Sequence, residues 1–306
     1  MLPTRKATLI INPAAGRPGW SSSIAPRLSG WLRHHGGFRT EAQYTTAEPG
    51  CAEKLARAAA ADSGWILACG GDGTVHEVVQ GLAHRDVALG VIPLGTANAL
   101  ARSLGVPLDP REAIQTLLGF APRRIPLGRL ETSSASRYFV LMAGCGPDGA
   151  LAHSLNRAAK ARFGRHAYYA HAARLLLSRR WPAFDVEYRV GVESSRCRAV
   201  AVMVSRVPDL GGAFSGLTRG ASLTSDRLQV RLVRAPALVS LPAWFGLSRL
   251  RWPNPWLKTV EADELRCFPL EDRPVYAQVD AEPLGAIPLT MRIVPNALTL
   301  LMPPAP

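Results

Sequence analysis

The chain has 306 residues, 47% of them hydrophobic, enough for two domains with sizeable cores. Its formal charge of +13 suits an anionic membrane or a phosphorylated ligand, while no zinc-finger, RRM or homeodomain pattern supports nucleic acid. Five cysteines without C-x-x-C or zinc spacing read as reduced thiols of a cytoplasmic protein, and no stretch is long enough for a signal peptide or a bilayer span.

In chain order, residues 7–11 predict a short buried strand ending at Asn12-Pro-Ala-Ala-Gly16. A helical pattern follows from Ile24 to His34, and a second strand from Phe38 to Tyr44 ends at Thr45-Thr46. An alanine-rich helix covers 52–61, and the strand 65–69 then stops in Gly70-Gly-Asp-Gly-Thr74, where another helix opens. Glycine at a strand end lets the backbone approach a ligand, and the N–H groups of the next helix turn favour phosphate. Asp72 adds a carboxylate where a phosphate-bound Mg²⁺ needs one. The plain alternative is a capping box, in which Thr74 and Glu77 satisfy the helix's own N–H groups. Residues 89–98 repeat the design, with an apolar strand, a Gly95-Thr96 turn and a helical pattern over 99–104. Two such loops lie on the sheet edge where open α/β sheets bind ligands. One further helix reaches Leu118, and 123–128 reads as a crossing linker. This alternation predicts a doubly wound parallel sheet, an α/β domain over 1–128.

The second half differs. Segments 137–143, 184–192, 199–205, 228–233, 275–280 and 289–294 are short and rich in β-branched or aromatic residues, and 296–302 reads as a final strand. They predict an antiparallel sandwich over 129–306, with one substantial helical region at 150–178 and a ligand cleft between the domains. Gly144-Cys-Gly-Pro-Asp-Gly149 matches G-x-G-x-x-G, but the next acid is Asp185, too far downstream for a ribose contact. A tight turn presenting Asp148 to the cleft is the better reading. Residues 1–128 hold 13 basic against 9 acidic side chains, and 129–306 hold 23 against 14. Arg157, Lys160, Arg162, Arg165, Arg174, Arg179 and Arg180 crowd an interval with no acid at all. With the tryptophan-rich segment 244–256 they suit an anionic membrane surface. Two bland readings stand beside this: an arginine-biased composition, and Trp244, Trp252 and Trp256 as core or domain-interface residues.

Taken together, these motifs resemble the diacylglycerol kinase catalytic domain, shared by bacterial diacylglycerol and related lipid kinases, sphingosine kinases and ceramide kinases. The resemblance rests on 12–16, on 70–74 with Glu77, and on Pro93-Leu-Gly-Thr-Ala-Asn98, followed by 144–148, 163–168 and 279–283 in family order. Gly-Gly-Asp-Gly-Thr alone also occurs in NAD kinases. The resemblance implies an ATP- and Mg²⁺-dependent lipid kinase, with the nucleotide near Asn12, Gly16, Thr46, Gly70, Gly71, Asp72, Gly73, Thr74, Glu77, Thr96 and Asn98. It implies Asp72 as the metal ligand, Asp148 at the substrate, and Glu282 as the general base with Asp280 beside it. The partners it implies are a lipid substrate and an anionic membrane to which a cytoplasmic protein binds reversibly; a homodimer stays open.

Three departures accompany the resemblance. Ala99 stands where many members have Asp, Ala281 replaces the glycine of Asp-Gly-Glu, and the Asp-Asp-Gly element of a structural metal site is reduced to Asp226. Two rivals therefore remain: a kinase of a soluble acceptor such as NAD, and a catalytically weak lipid- or nucleotide-binding regulator.

Overall fold

The computed structural model describes residues 6–15, 20–46, 48–154, 175, 181–211, 216–234, 237–250 and 252–304. Gly16, the motif 163–168 and nearly all of the basic interval lie outside these residues. Contacts divide the chain into two compact units, Met1–Leu127 with Val294–Pro306, and Gly128–Ile293. The chain from Val294 on belongs to the first unit.

The first unit alternates β1 (Lys6–Ile11), α1 (Trp20–Gly36), β2 (Arg39–Tyr44), α2 (Cys51–Ala59), β3 (Trp65–Gly70), α3 (Asp72–Leu82) and β4 (Ala88–Pro93). Two further helices, α4 (Ala99–Ser103) and α5 (Pro110–Leu118), lead into β5 (Ala121–Thr132). Its strands run parallel in the order β2-β1-β3-β4. Both β3 and β4 are buried at every residue, as an all-apolar run must be when helices cover both faces. The edge strand β2 reads Arg-Thr-Glu-Ala-Gln-Tyr and is largely exposed, a polar edge that resists pairing with another chain. The chain leaves β1 in one direction for β2 and returns to its other side for β3. That reversal makes the carboxyl ends of β1 and β3 a topological switch point, where such sheets bind ligands.

The second unit contains β6 (Ser136–Phe139), β7 (Met142–Cys145), α6 (Pro147–Ser154), β8 (Phe184–Val190), β9 (Glu193–Ala199), β10 (Ala201–Ser205) and β11 (Leu228–Val233). These are followed by α7 (Ala237–Leu250), β12 (Leu257–Ala262), β13 (Glu264–Pro269), β14 (Tyr276–Val279), β15 (Glu282–Ala286) and β16 (Leu289–Met302), whose residues from Val294 on belong to the first unit. One antiparallel sheet runs β12-β11-β10-β7-β14-β15, and β16-β13-β8-β9 pair antiparallel in the other. Phe139, Val202, Val230 and Val279 meet Phe184, Val186, Leu265 and Met291 in one core. This is the expected sandwich.

Helix α7 was not legible as a helix, because its residues are apolar almost all round and Pro242 interrupts them. It packs Leu241 and Trp244 against Met203 and Val233, so Trp244 is a core residue. The segment expected as a linker, 123–128, is part of the long strand β5, and the two strands expected over 289–302 are one. Strand β16 pairs antiparallel with β13 through 289–292, then parallel with β4 at Thr299 and Leu300.

Candidate nucleotide loops and the carboxylates of the second unit

The loops after β1, β3 and β4 are tied into one cluster by their own polar groups. Asn12 donates its backbone N–H to the Cys69 carbonyl at 3.0 Å and its side-chain amide to Thr74 Oγ1 at 3.0 Å. A Cβ on Gly70 would overlap the Thr74 side chain, and one on Gly95 would overlap Gly71 Cα. The β3 and β4 loops therefore pack glycine against glycine. Asp72 Oδ1 accepts from the Ala99 N–H at 2.8 Å, joining the start of α3 to the start of α4. Asn98, buried and at φ 50°, closes its amide on both backbone groups of Gly95. Gly73 and Thr96 are exposed, while Thr46 is exposed and caps its own turn at Glu48 N–H.

Two expected roles change. Helix α3 begins at Asp72 with Gly71 as its N-cap and no side-chain cap, so Thr74 and Glu77 do not form a capping box. Thr74 instead accepts from Asn12, and Glu77 Oε2 accepts from the Ala52 N–H at 3.0 Å, capping the neighbouring helix α2. Glu77 thus holds the helix layer together, which also explains an acid in the middle of an otherwise buried helix.

In the second unit, β14 and β15 form a hairpin whose two turn residues, Asp280 and Ala281, have φ 48° and 69°. Positive φ at both positions is the turn that matches strand twist, and it favours Asn-Gly or Asp-Gly. Asp280 is 4% exposed, and its carboxylate accepts from the N–H groups of Val140, Leu141 and Met142 at 3.2, 3.0 and 2.9 Å. It clamps the β6–β7 turn and sits outside the strand, so it does not alternate with Glu282 along one face. Glu282, the first residue of β15, is half-buried. Asp148 opens α6, with Oδ1 accepting from the Gly149 N–H at 2.9 Å and Oδ2 from Gln278 Nε2 at 3.1 Å. Burial pushes its carboxyl up to about 6, against the lowering effect of those hydrogen bonds.

Residues 6–130 match the diacylglycerol kinase catalytic domain family. A diacylglycerol kinase of Bacillus subtilis is 34% identical over 187 residues, covering 60% of this chain and 60% of that protein. One from Staphylococcus saprophyticus is 28% identical over 239 residues, covering 78% and 75%. A solved diacylglycerol kinase structure from Bacillus anthracis superposes on this chain with a TM-score of 0.77 at 22% identity, covering 99% of both chains. At that identity the likeness concerns the fold. The chain spans 60% of the length of the Bacillus subtilis kinase it matches.

Among the described residues no group of three His, Cys, Asp or Glu side chains could hold a metal. The loops instead offer Asp72 alone, a donor set that would suit Mg²⁺ if nucleotide phosphates supplied the remaining ligands. The reduced element at Asp226 does not fit a metal. The guanidinium of Arg206, 1% exposed, already fills this loop, donating to the carbonyls of Leu223, Ser225 and Arg227 at 2.7, 2.7 and 3.2 Å. A second cation there would face that charge. Sequence reading missed Arg206 and Gln278, since a lone Arg just past an apolar strand or a lone Gln within one carries no spacing signal.

Two outcomes follow from the hairpin and from Asp148. Ala281→Gly should raise stability by about 0.5–1 kcal/mol, the relief of left-handed strain exceeding the added chain entropy; denaturant midpoints measure it. A carboxyl raised to about 6 binds protons more tightly folded than unfolded, so its contribution to stability falls as pH rises from about 4 to 6. Asp148→Asn removes that slope. Urea midpoints between pH 4 and 7 should therefore shift in favour of the variant as pH rises.

Proposed function

We propose that the chain is an ATP- and Mg²⁺-dependent lipid kinase acting on a hydroxyl of the diacylglycerol class. The observation that carries this reading is the hydrogen-bonded cluster of the loops after β1, β3 and β4 at the switch point of a segment that matches the diacylglycerol kinase catalytic domain family. Rigid backbone N–H groups at the start of an eleven-residue helix suit a polyphosphate. Phosphoryl transfer asks the protein for positioning and charge stabilisation more than covalent chemistry. Magnesium bound with the nucleotide would neutralise phosphate charge, with Asp72 as its protein ligand. In this reading Glu282 accepts the proton of the lipid hydroxyl as its oxygen bonds to the γ-phosphorus and the bond to the ADP oxygen breaks. Asp280 holds the turn.

Lipid presentation requires a membrane surface. The candidate contact lies at the end of α7, where Leu250 and Trp252 are 60% and 65% exposed, on the more basic half of the chain. An amphipathic ring and nearby arginines suit the headgroup level of anionic lipid. The rival of a weak regulator draws on Asp72, whose carboxylate already serves Ala99 N–H.

Labelled-ATP turnover against micellar diacylglycerol, sphingoid base, ceramide and phosphatidylglycerol, and against soluble NAD, separates these readings. Glu282→Gln should lower kcat by about 10²–10⁴-fold while calorimetric ATP affinity holds. A parallel loss of ATP affinity would move this carboxylate to the nucleotide. Asp72→Ala is a less clean test, because it also removes the tie to α4. Sedimentation with anionic vesicles should show binding that weakens with salt and with Trp252→Ala plus Arg251→Ala; salt-independent binding would remove this surface.

A further inference from the structure

The run Gly144–Gly149 matched a nucleotide fingerprint, and the fold uses it otherwise. A Cβ on Gly144 would strike Asp148 Oδ2, and one on Gly149 would strike the Tyr276 carbonyl of β14. The glycines let α6 lie directly on β14 with the Asp148 carboxylate folded under β7. What that carboxylate meets is Gln278, a side chain 2% exposed. Its Nε2 donates to Asp148 Oδ2 at 3.1 Å, and its Oε1 accepts from the Ala281 N–H at 2.8 Å.

The chemistry of this relay permits one arrangement. An ionised carboxylate only accepts and a peptide N–H only donates, so the amide between them has a single orientation. Reversing it would set two donors against each other at Ala281. The turn it holds is one the residues themselves disfavour, with an alanine at φ 69° where glycine is preferred. Such a turn keeps its shape only while its tethers hold. Asp280 supplies one set, to the β6–β7 turn, and Gln278 supplies the other. Glu282 follows Ala281 directly.

We propose that Asp148 and Gln278 are positioning residues that fix the Asp280–Ala281 turn and thereby aim the Glu282 carboxylate. This rests on Glu282 as the general base. It assigns Asp148 a task away from substrate and gives a reason for each glycine flanking it.

Gln278→Leu keeps the volume and removes both hydrogen bonds; Asp148→Leu keeps the approximate volume and removes the acceptor. Both are compared with Glu282→Gln in turnover of labelled ATP with micellar diacylglycerol, in calorimetric ATP affinity, and in hydrogen exchange at the Ala281 amide. Gln278→Leu should lower kcat by about 10²-fold, as a displacement near 1 Å can, with KM for ATP unchanged and exchange at Ala281 accelerated. Combined with Glu282→Gln it should cost nothing more, because the two act as a unit. Asp148→Leu should lower kcat in the same sense, and it carries the test should Gln278→Leu not fold. Wild-type kcat in either folded variant beside an inactive Glu282→Gln overturns the positioning and leaves the base standing. Additive losses in the double variant do the same. Full activity in Glu282→Gln overturns the base, and the positioning with it.

Discussion

Two glycines facing each other across neighbouring loops set the form of the first unit. Gly71 and Gly95 approach so closely that a side chain on Gly95 would fall on the Gly71 backbone. Only with that contact made can Asp72 reach the Ala99 N–H, and only with Asn98 in a left-handed conformation can its amide close on Gly95. Asn12 completes the arrangement from β1 through Thr74. The loops are thus held by their own hydrogen bonds, an arrangement that would lower the entropy lost by a ligand's binding there. The sheet beneath it contributes just as directly, since the reversal of strand order brings β1 and β3 side by side at the switch point.

The second unit spends its acids differently. Asp280 is consumed by three backbone N–H groups and Asp148 by a glutamine and a glycine N–H. Arg206 and Arg231 are likewise buried on carbonyl oxygens, and burial lowers both guanidinium pKa values to about 10. Buried charges held by backbone groups fix loops that the sandwich core does not reach.

The parallel sheet and the glycine loops were legible because each is written in contiguous residues: an apolar run, a glycine turn, a helical period. The sandwich was legible as a class for the same reason, through β-branched runs such as 228–233, which the structure reproduces as β11. Strands β12 and β13 escaped because lysine, glutamate and arginine interrupt them on the exposed face. Helix α7 escaped because a helix buried on a sheet and apolar elsewhere has no period to read. Side-chain tasks were the least legible. Glu77 reads as a cap of its own helix and caps another; Asp280 reads as a partner of Glu282 and holds a turn 138 to 140 residues away. Those partners are set by topology, which no local pattern encodes.

Strand β16 carries a consequence for how the protein is made. Thr299 and Leu300 complete the parallel sheet by pairing with Ala88 and Leu89, and Ala297 accepts from the His84 N–H. During synthesis β4 leaves the ribosome long before its neighbour exists, so the growing chain carries an all-apolar strand with one side open. Pairing so distant in sequence is slow, because loop closure must precede the contacts that reward it. Until then the edge of β4 lies bare, and the parallel sheet acquires its final strand only after nearly all of the sandwich has been translated.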